Sequence, residues 1–474
     1  MATDMTAFPT LPLDLLAELR AELGPQGVLA GADAPVRNHN DYSGLQPSRP
    51  LAVLRPTDTA SVAAALRLCQ RHGVAVVPQG GLTGLCGGAR ATGAQIALSL
   101  ERLVGIEEID PASATLTVRA GTPLEAVQQA AAEAGFFCPL DLGARGSCSI
   151  GGNLATNAGG NRVIRYGMAR EMVLGLEVVL ADGTVITSLN KMIKNNAGFD
   201  LKHLFIGSEG TLGVITRVVL RLYPQPASTQ VAMCAVRDYA GVLTLLDSAR
   251  QHLGPLLSAF EVMWPEYWQF ATTRVPGVRN PLQGDDSPHG AYVLVEALGT
   301  DEALDAPRFE AWLAGLMEAG ALPNAAIAQS IADVKAFWGV RDATGELHPQ
   351  LPHHLAFDVG LPVARMDDYV SRCRQALQAR IPNACTLFYG HVGDGNLHII
   401  VHQAGVAEQP KSLVDGIVYG LVREYGGTVS AEHGIGTLKR AWLGHARSPA
   451  EIALMQCLKQ ALDPAGLLNP GKVI

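Results

Sequence analysis

Two short stretches in the second half of the chain concentrate side chains that can bind metal or move protons. Gly390-His391-Val392-Gly393-Asp394-Gly395-Asn396-Leu397-His398 places two histidines seven residues apart. Further on, Ser430-Ala431-Glu432-His433-Gly434-Ile435-Gly436 sets a glutamate–histidine pair among small residues. On an uninterrupted strand an odd spacing sends two side chains to opposite faces. The Gly-Asp-Gly insert breaks that strand, so the imidazoles of His391 and His398 can converge across a turn. Two imidazoles and a carboxylate form an open three-ligand set for zinc or a similar divalent ion, with a position left for substrate. In that reading His391, His398 and Glu432 hold the ion, and His433 is free for proton transfer. A histidine beside a turn is equally an ordinary structural residue, and the residues alone leave both readings open.

The other chemistry belongs to glycine. Asp141–Asn161 carries six glycines (143, 146, 151, 152, 159, 160), and a second cluster runs from Gly80 to Gly88 after the apolar Val74–Val77. No hydrophobic period crosses Asp141–Asn161, which predicts an irregular segment and neither a helix nor a core strand. Glycine gathers where backbone turns through positive φ or presses close to a ligand. At Gly152 a branched side chain is therefore expected to fill ligand space and to forbid positive φ. Successive backbone N–H groups in such turns make concave anion sites. A long structural loop is the plain alternative for Asp141–Asn161, and the second cluster argues against it: two such cradles suit one large, phosphate-bearing ligand.

The elements that must carry these groups are legible in order. Leu11–Leu23 has helical spacing and stops at Gly24-Pro25. Leu51–Leu54, a helix capped at Thr57–Asp58 and running to His72, and Val74–Val77 form a βαβ unit. It lacks the G-x-G-x-x-G fingerprint of a dinucleotide fold, and no helix pattern follows it. Strands are predicted at Ile96–Leu100 and Thr115–Ala120, then a helix over Thr122–Ala134. Val173–Leu180 and Thr184–Thr187 flank Ala181-Asp182-Gly183 as a hairpin, and Leu212–Leu222 is a strand. Tyr223-Pro224-Gln225-Pro226 reads as a linker. Beyond it come strands at Val231–Val236, Ala259–Met263, Ala291–Glu296, His354–Leu361, Thr386–His391 and Leu397–His402. They alternate with helices over Thr300–Met317, Met366–Ala379, Lys411–Tyr425 and Pro449–Leu462. The last helix and Asn469-Pro470-Gly471 are expected to fold back on the first half.

Composition narrows the partners. At 474 residues, 48% hydrophobic and 17% charged, the chain is long enough for two or three well-buried domains. A net charge of −8 without a basic stripe excludes a nucleic-acid binder. Eight cysteines with no C-x-x-C pair exclude zinc knuckles and cluster-binding runs, and suit a reducing cytoplasm. Met1–Arg20 has neither signal-peptide nor transit-peptide character, and no apolar run reaches membrane-spanning length. A homodimer is compatible with the sequence but is not read from it.

Taken together, the glycine clusters, G-H-V-G-D-G-N-L-H, S-A-E-H-G-I-G, G-S-E-G-T-L-G and the terminal L-D-P-A-G-L-L-N-P-G-K resemble the FAD-linked D-2-hydroxyacid dehydrogenases, from about Asn40 to Ile474. That family includes D-lactate, glycolate and D-2-hydroxyglutarate dehydrogenases. The resemblance implies an α+β fold: a two-subdomain FAD-binding domain of the p-cresol methylhydroxylase type over 1–226, then an α+β substrate (cap) domain over 227–474 that ends in a helical segment. It implies FAD on Pro78, Gly80, Gly81, Thr83, Gly84, Gly146, Ser147, Gly151, Gly152, Asn153, Asn157, Glu209, Gly210 and Ile215. Zn²⁺, Mn²⁺ or a similar ion is implied on His391, His398 and Glu432, with His433 as base and Asn396 beside the substrate. Arg341 matches the family's substrate-carboxylate arginine; from its own neighbours it reads as a surface pair with Asp342 or Glu346.

The chain departs from the hydroxyglutarate pattern at two places: Ala356 replaces a lysine, and Gly345, beside Thr344, replaces a threonine. Both changes weaken the case for a dicarboxylate substrate. Ser149 stands where some relatives carry a flavin-linking histidine, so FAD is expected to be non-covalent. The implied reaction oxidises a D-2-hydroxy acid and passes electrons to an external quinone or electron-transfer protein. A metal-free flavin oxidase would leave His391, His398 and Glu432 without a role, and a zinc hydrolase would leave both glycine clusters unexplained.

Overall fold

A computed structural model describes residues 11–282, 284 and 287–474. Met1–Thr10, part of the N-terminal stretch judged above for targeting character, lies outside the described residues. The chain divides into two compact units. Unit 1 comprises the chain up to Gly159, Met168–Pro224 and Glu432–Ile474; unit 2 comprises Gly160–Gly167 and Gln225–Ala431.

Unit 1 begins with four short strands, β1 Val28–Ala30, β2 Ala52–Leu54, β3 Val76–Gln79 and β4 Ile96–Ser99. Their order is β1-β2-β4-β3, with β2 and β3 both parallel to β4. Helix Thr59–Arg71 connects β2 to β3 and starts in a capping box, the Asp58 carboxylate accepting from Ser61 N. The expected βαβ unit thus exists, but its strands are not neighbours: β4 lies between them. The first glycine cluster leaves the end of β3, as the apolar run before it predicts.

A second, antiparallel sheet has the order β5-β6-β10-β8-β9, from β5 Ile106–Asp110, β6 Thr115–Arg119, β8 Val173–Val179, β9 Val185–Ser188 and β10 Val214–Arg221. The hairpin between β8 and β9 turns at Gly183, φ 80°. Tyr223–Pro224 is not linker: it forms β11 and pairs with β7, Phe136–Phe137. The C-terminal helix Pro449–Leu462 leads to a strand-like return, in which Val76 N donates to Leu467 O at 2.8 Å and Asn469 N to Val76 O at 2.7 Å.

A further expectation for unit 1 is overturned. Ile150–Ala155, inside the glycine-rich stretch, is a helix with Ser149 as its N-cap. Short helices draw their stability from packing more than from periodicity. Here Ile150 and Leu154 are fully buried, and the N–H groups of Ile150 and Gly151 donate to Thr122 O and Ala120 O.

Unit 2 is built on one seven-stranded antiparallel sheet of order β15-β12-β14-β13-β17-β18-β16. The strands are β12 Ser228–Val236, β13 Leu257–Met263, β14 Ala291–Gly299, β15 Asn324–Ile327, β16 Leu355–Gly360, β17 Ala384–Gly390 and β18 Asn396–Gln403. Helices Pro265–Arg274 and Ile331–Arg341 pack on one face through Tyr267, Phe270, Phe337 and Val340, against Met233, Leu294, Tyr389 and Ile400 of the sheet. This packing brings the end of helix Ile331–Arg341 to the middle of the sheet. Among the described residues no helix is long and apolar enough to cross a membrane.

Candidate active site

In unit 1 the two glycine clusters meet. A Cβ on Gly81 would stand 2.0 Å from Ser147 O and 2.7 Å from Cys148 Cα, and one on Gly80 would stand 2.3 Å from Ser149 Oγ. Beside this contact runs a cavity of ≈ 370 Å³, within the range of small-molecule sites. Its wall includes Pro78, Gly80, Gly81, Thr83, Gly84, Gly151, Gly152, Asn153, Glu209, Gly210 and Ile215. Gly146, Ser147 and Asn157 stand outside the wall. Ser147 O braces Gly81, and Asn157 Oδ1 accepts from Arg170 N at 2.9 Å. A wall of glycine backbone from two clusters, with Thr83, Ser149 and Asn153 as polar side chains, fits a large cofactor such as FAD.

The glycines work mainly by close approach. Of the six in Asp141–Asn161 only Gly160 has positive φ, 142°. Gly152 lies in the helix with ordinary backbone, which corrects the expectation of positive φ there. Strain falls on Glu209 instead, φ 53°, where a non-glycine residue rarely sits. Asn469 Nδ2 secures its carbonyl at 2.7 Å, and its carboxylate accepts from Ile435 N at 2.6 Å and Gly436 N at 2.8 Å. Burial pushes the Glu209 carboxyl up, against the pull of these two donors and of Lys439 and Lys472. Glu209 thereby anchors the turn that follows Glu432 and His433, both of which line the same cavity.

In unit 2 the broken strand does what its glycines suggest. β17 ends at Gly390, a turn spans Val392–Asp394, and His391 and His398 come together with ring centroids 5.3 Å apart and planes at 81°. Both rings are buried. His391 Nδ1 lies 2.6 Å from Glu261 Oε1, and His391 Nε2 lies 3.0 Å from Arg341 Nη2. Arg341 also donates from Nε to Glu261 Oε2 at 2.8 Å. Arg341 is therefore no surface residue: it is buried, and its short contact is with Glu261, while Asp342 stands at 3.5 Å. Burial pushes the Glu261 carboxyl up, but His391 and Arg341 outweigh it and bring its pKa down to about 2. The Arg341 guanidinium is held charged, with burial opposed chiefly by Glu261.

Asp358, fully buried on β16, organises the other side. It accepts from Asn396 Nδ2 at 2.8 Å, Ser430 Oγ at 3.1 Å and Ala431 N at 3.2 Å. It thus orients Asn396 and holds the Ser430–Ala431 peptide. Asn396 Oδ1 is buried with no hydrogen-bond partner among the described residues. Ala356 lies two residues from Asp358 on β16, hence on the same face, and is exposed. Sequence reasoning missed Glu261 and Asp358. The available signal was a lone carboxylate inside an otherwise apolar strand, which burial permits only when the charge is paired.

Comparison with known proteins agrees with this architecture. The family described as "FAD binding domain" matches residues 50–188, and "FAD linked oxidases, C-terminal domain" matches residues 225–473. The structure of p-cresol methylhydroxylase with substrate bound superposes with a TM-score of 0.76 at 17% identity, covering 97% of this chain and 96% of that one. The fold is that of the two-domain flavoproteins of this type. The chain is also 37% identical over 467 residues to the mitochondrial D-2-hydroxyglutarate dehydrogenase of Arabidopsis thaliana, covering 98% of this chain and 82% of that protein. It is 38% identical over 438 residues to D-2-hydroxyglutarate dehydrogenase of Xanthomonas citri pv. viticola, covering 91% of each. The chain belongs to the FAD-linked D-2-hydroxyacid dehydrogenases.

Proposed function

We propose that the protein oxidises a D-2-hydroxy acid to its 2-oxo acid with a divalent ion on His391, His398 and Glu432. The observation that carries the ion is the buried His391–His398 pair. With Nδ1 turned to Glu261, the electron pair of His391 lies on Nε2, which accepts from Arg341 Nη2 at 3.0 Å and which a bound ion would take over from that guanidinium. Bound FAD supplies the two-electron acceptor, and a bound ion such as Zn²⁺ or Mn²⁺ supplies Lewis acidity. His433 accepts the proton of the 2-hydroxyl at a ring nitrogen, a contribution of roughly 10²- to 10⁴-fold. Arg341 binds the substrate carboxylate, and the unpartnered Asn396 Oδ1 accepts a substrate hydrogen bond. Electrons leave to an external quinone or electron-transfer protein.

For the substrate tail we infer uncharged groups, as in D-lactate or larger apolar D-2-hydroxy acids, used at least as well as D-2-hydroxyglutarate. A distal carboxylate taken from water needs a compensating cation. Ala356 offers none on the site face of β16. The names of the relatives favour the second reading, D-2-hydroxyglutarate itself. A panel of D-2-hydroxy acids with a dye acceptor decides between them. Ala356→Lys is expected to shift preference toward the dicarboxylate by about tenfold or more, since a charged hydrogen bond contributes about 1.5–3 kcal/mol. A wild-type kcat/KM for D-2-hydroxyglutarate orders of magnitude above D-lactate and its apolar analogues rejects the uncharged-tail reading.

A further inference from the structure

We propose that Glu261 is a positioning residue for the reaction, setting the tautomer of His391 and the aim of Arg341 through one carboxylate; the proposal rests on the metal reading above. β13 is otherwise apolar or small from Leu257 to Met263, and Glu261 is 1% exposed within it. One oxygen takes His391 Nδ1 at 2.6 Å and the other takes Arg341 Nε at 2.8 Å. The third side of the ring is Arg341 Nη2 to His391 Nε2 at 3.0 Å. A guanidinium only donates, so Nε2 is the accepting nitrogen and the ring proton sits on Nδ1, toward Glu261. The two oxygens of Glu261 thus hold His391 and Arg341 separately, and that hold remains when an ion takes Nε2 from the guanidinium.

Glu296, another buried carboxylate of unit 2, serves as the comparison. Glu296 accepts from Arg162 Nε at 2.9 Å, Ser258 Oγ at 2.8 Å and Trp338 Nε1 at 3.2 Å. None of these partners is a ligand or substrate residue. Glu261 differs because both of its partners are. Glutamine keeps the volume of Glu261 but has one accepting oxygen, so Glu261→Gln can serve His391 or Arg341 and turns an NH₂ on the other.

The test uses the FAD holoenzyme stripped of metal and titrated with Zn²⁺ against a chromophoric chelator. Glu261→Gln is expected to bind Zn²⁺ about 10- to 100-fold more weakly, as loss of an outer partner of a ligating histidine does. Its KM for D-lactate should rise more than its kcat falls, with the flavin spectrum unchanged. Glu296→Gln should lower the melting temperature and leave Zn²⁺ affinity at the wild-type value. A folded Glu261→Gln with wild-type Zn²⁺ affinity overturns the role of Glu261 while the metal reading stands. Wild-type holoenzyme that takes up no Zn²⁺ removes the metal reading, and the proposal with it. Independently of any Glu261 variant, ¹⁵N NMR of the wild type, with His391 assigned by its loss in His391→Gln, should show the Nδ1–H ring; an Nε2–H ring overturns the proposal.

Discussion

At the scale of single residues, the roles proposed for His391 and His433 are separable. His391 is buried and hydrogen-bonded through both nitrogens, whereas His433 lines the cavity of unit 1. His391→Ala is therefore expected to lose the metal and keep FAD. His433→Ala should keep both and lose flavin reduction by about 10²- to 10⁴-fold. Chelation of the wild type should stop turnover while leaving the flavin spectrum largely intact, and Zn²⁺ or Mn²⁺ should restore it. Metal content, absorbance and stopped-flow reduction measured on the same preparations check all three; full activity in metal-free enzyme removes the ion from the mechanism. His391 and His398 were legible as a pair because Gly393 and Gly395 break the strand between them. Glu261, 130 positions from His391, was not.

At the scale of elements, the contact between the glycine loops decides whether the cofactor cradle forms. Gly81 has backbone, not a movable side chain, in the place of its missing Cβ. Gly81→Ala must push the first loop from Ser147–Cys148, at a cost typical of overpacking, about 1–3 kcal/mol. FAD content after purification should fall sharply, and the melting temperature with it; retention of full FAD would show that the loops yield without disturbing the cavity. The sequence marks both loops as special through glycine density alone. That signal does not separate turning from close approach, and the stretch around Gly151 and Gly152 proved to be a helix packed on Ala120.

At the scale of the whole molecule, the cavity proposed for FAD is walled by all three parts of the chain that compose unit 1: Pro78 and Gly151 from the first, Glu209 from the second, His433 from the third. Binding should therefore stabilise that unit as a whole. Near 100 times its Kd, FAD contributes about 2.7 kcal/mol, so its removal should lower the melting temperature by roughly 5–10 °C. Acid precipitation should release the flavin into solution, because Ser149, whose Oγ caps the helix at Gly152, offers no covalent attachment. Colour retained in the pellet would refute non-covalent binding.

The sequence by itself determined the local elements. Asp58 starts a helix and Asp182-Gly183 turns a hairpin, because caps and turns act over three or four residues. It also marked the histidines, Glu432 and the glycine loops, whose residue types carry chemistry wherever they lie. Only the tertiary structure decided that β4 lies between β2 and β3, and that residues 160–167 join unit 2 while Glu432–Ile474 return to unit 1. It likewise decided that Arg341 turns inward to Glu261 and not outward to Glu346. The physical reason is common to all of these. Strand order and buried ion pairs are selected by packing between segments tens to hundreds of residues apart, and no local periodicity records which distant partner will be there.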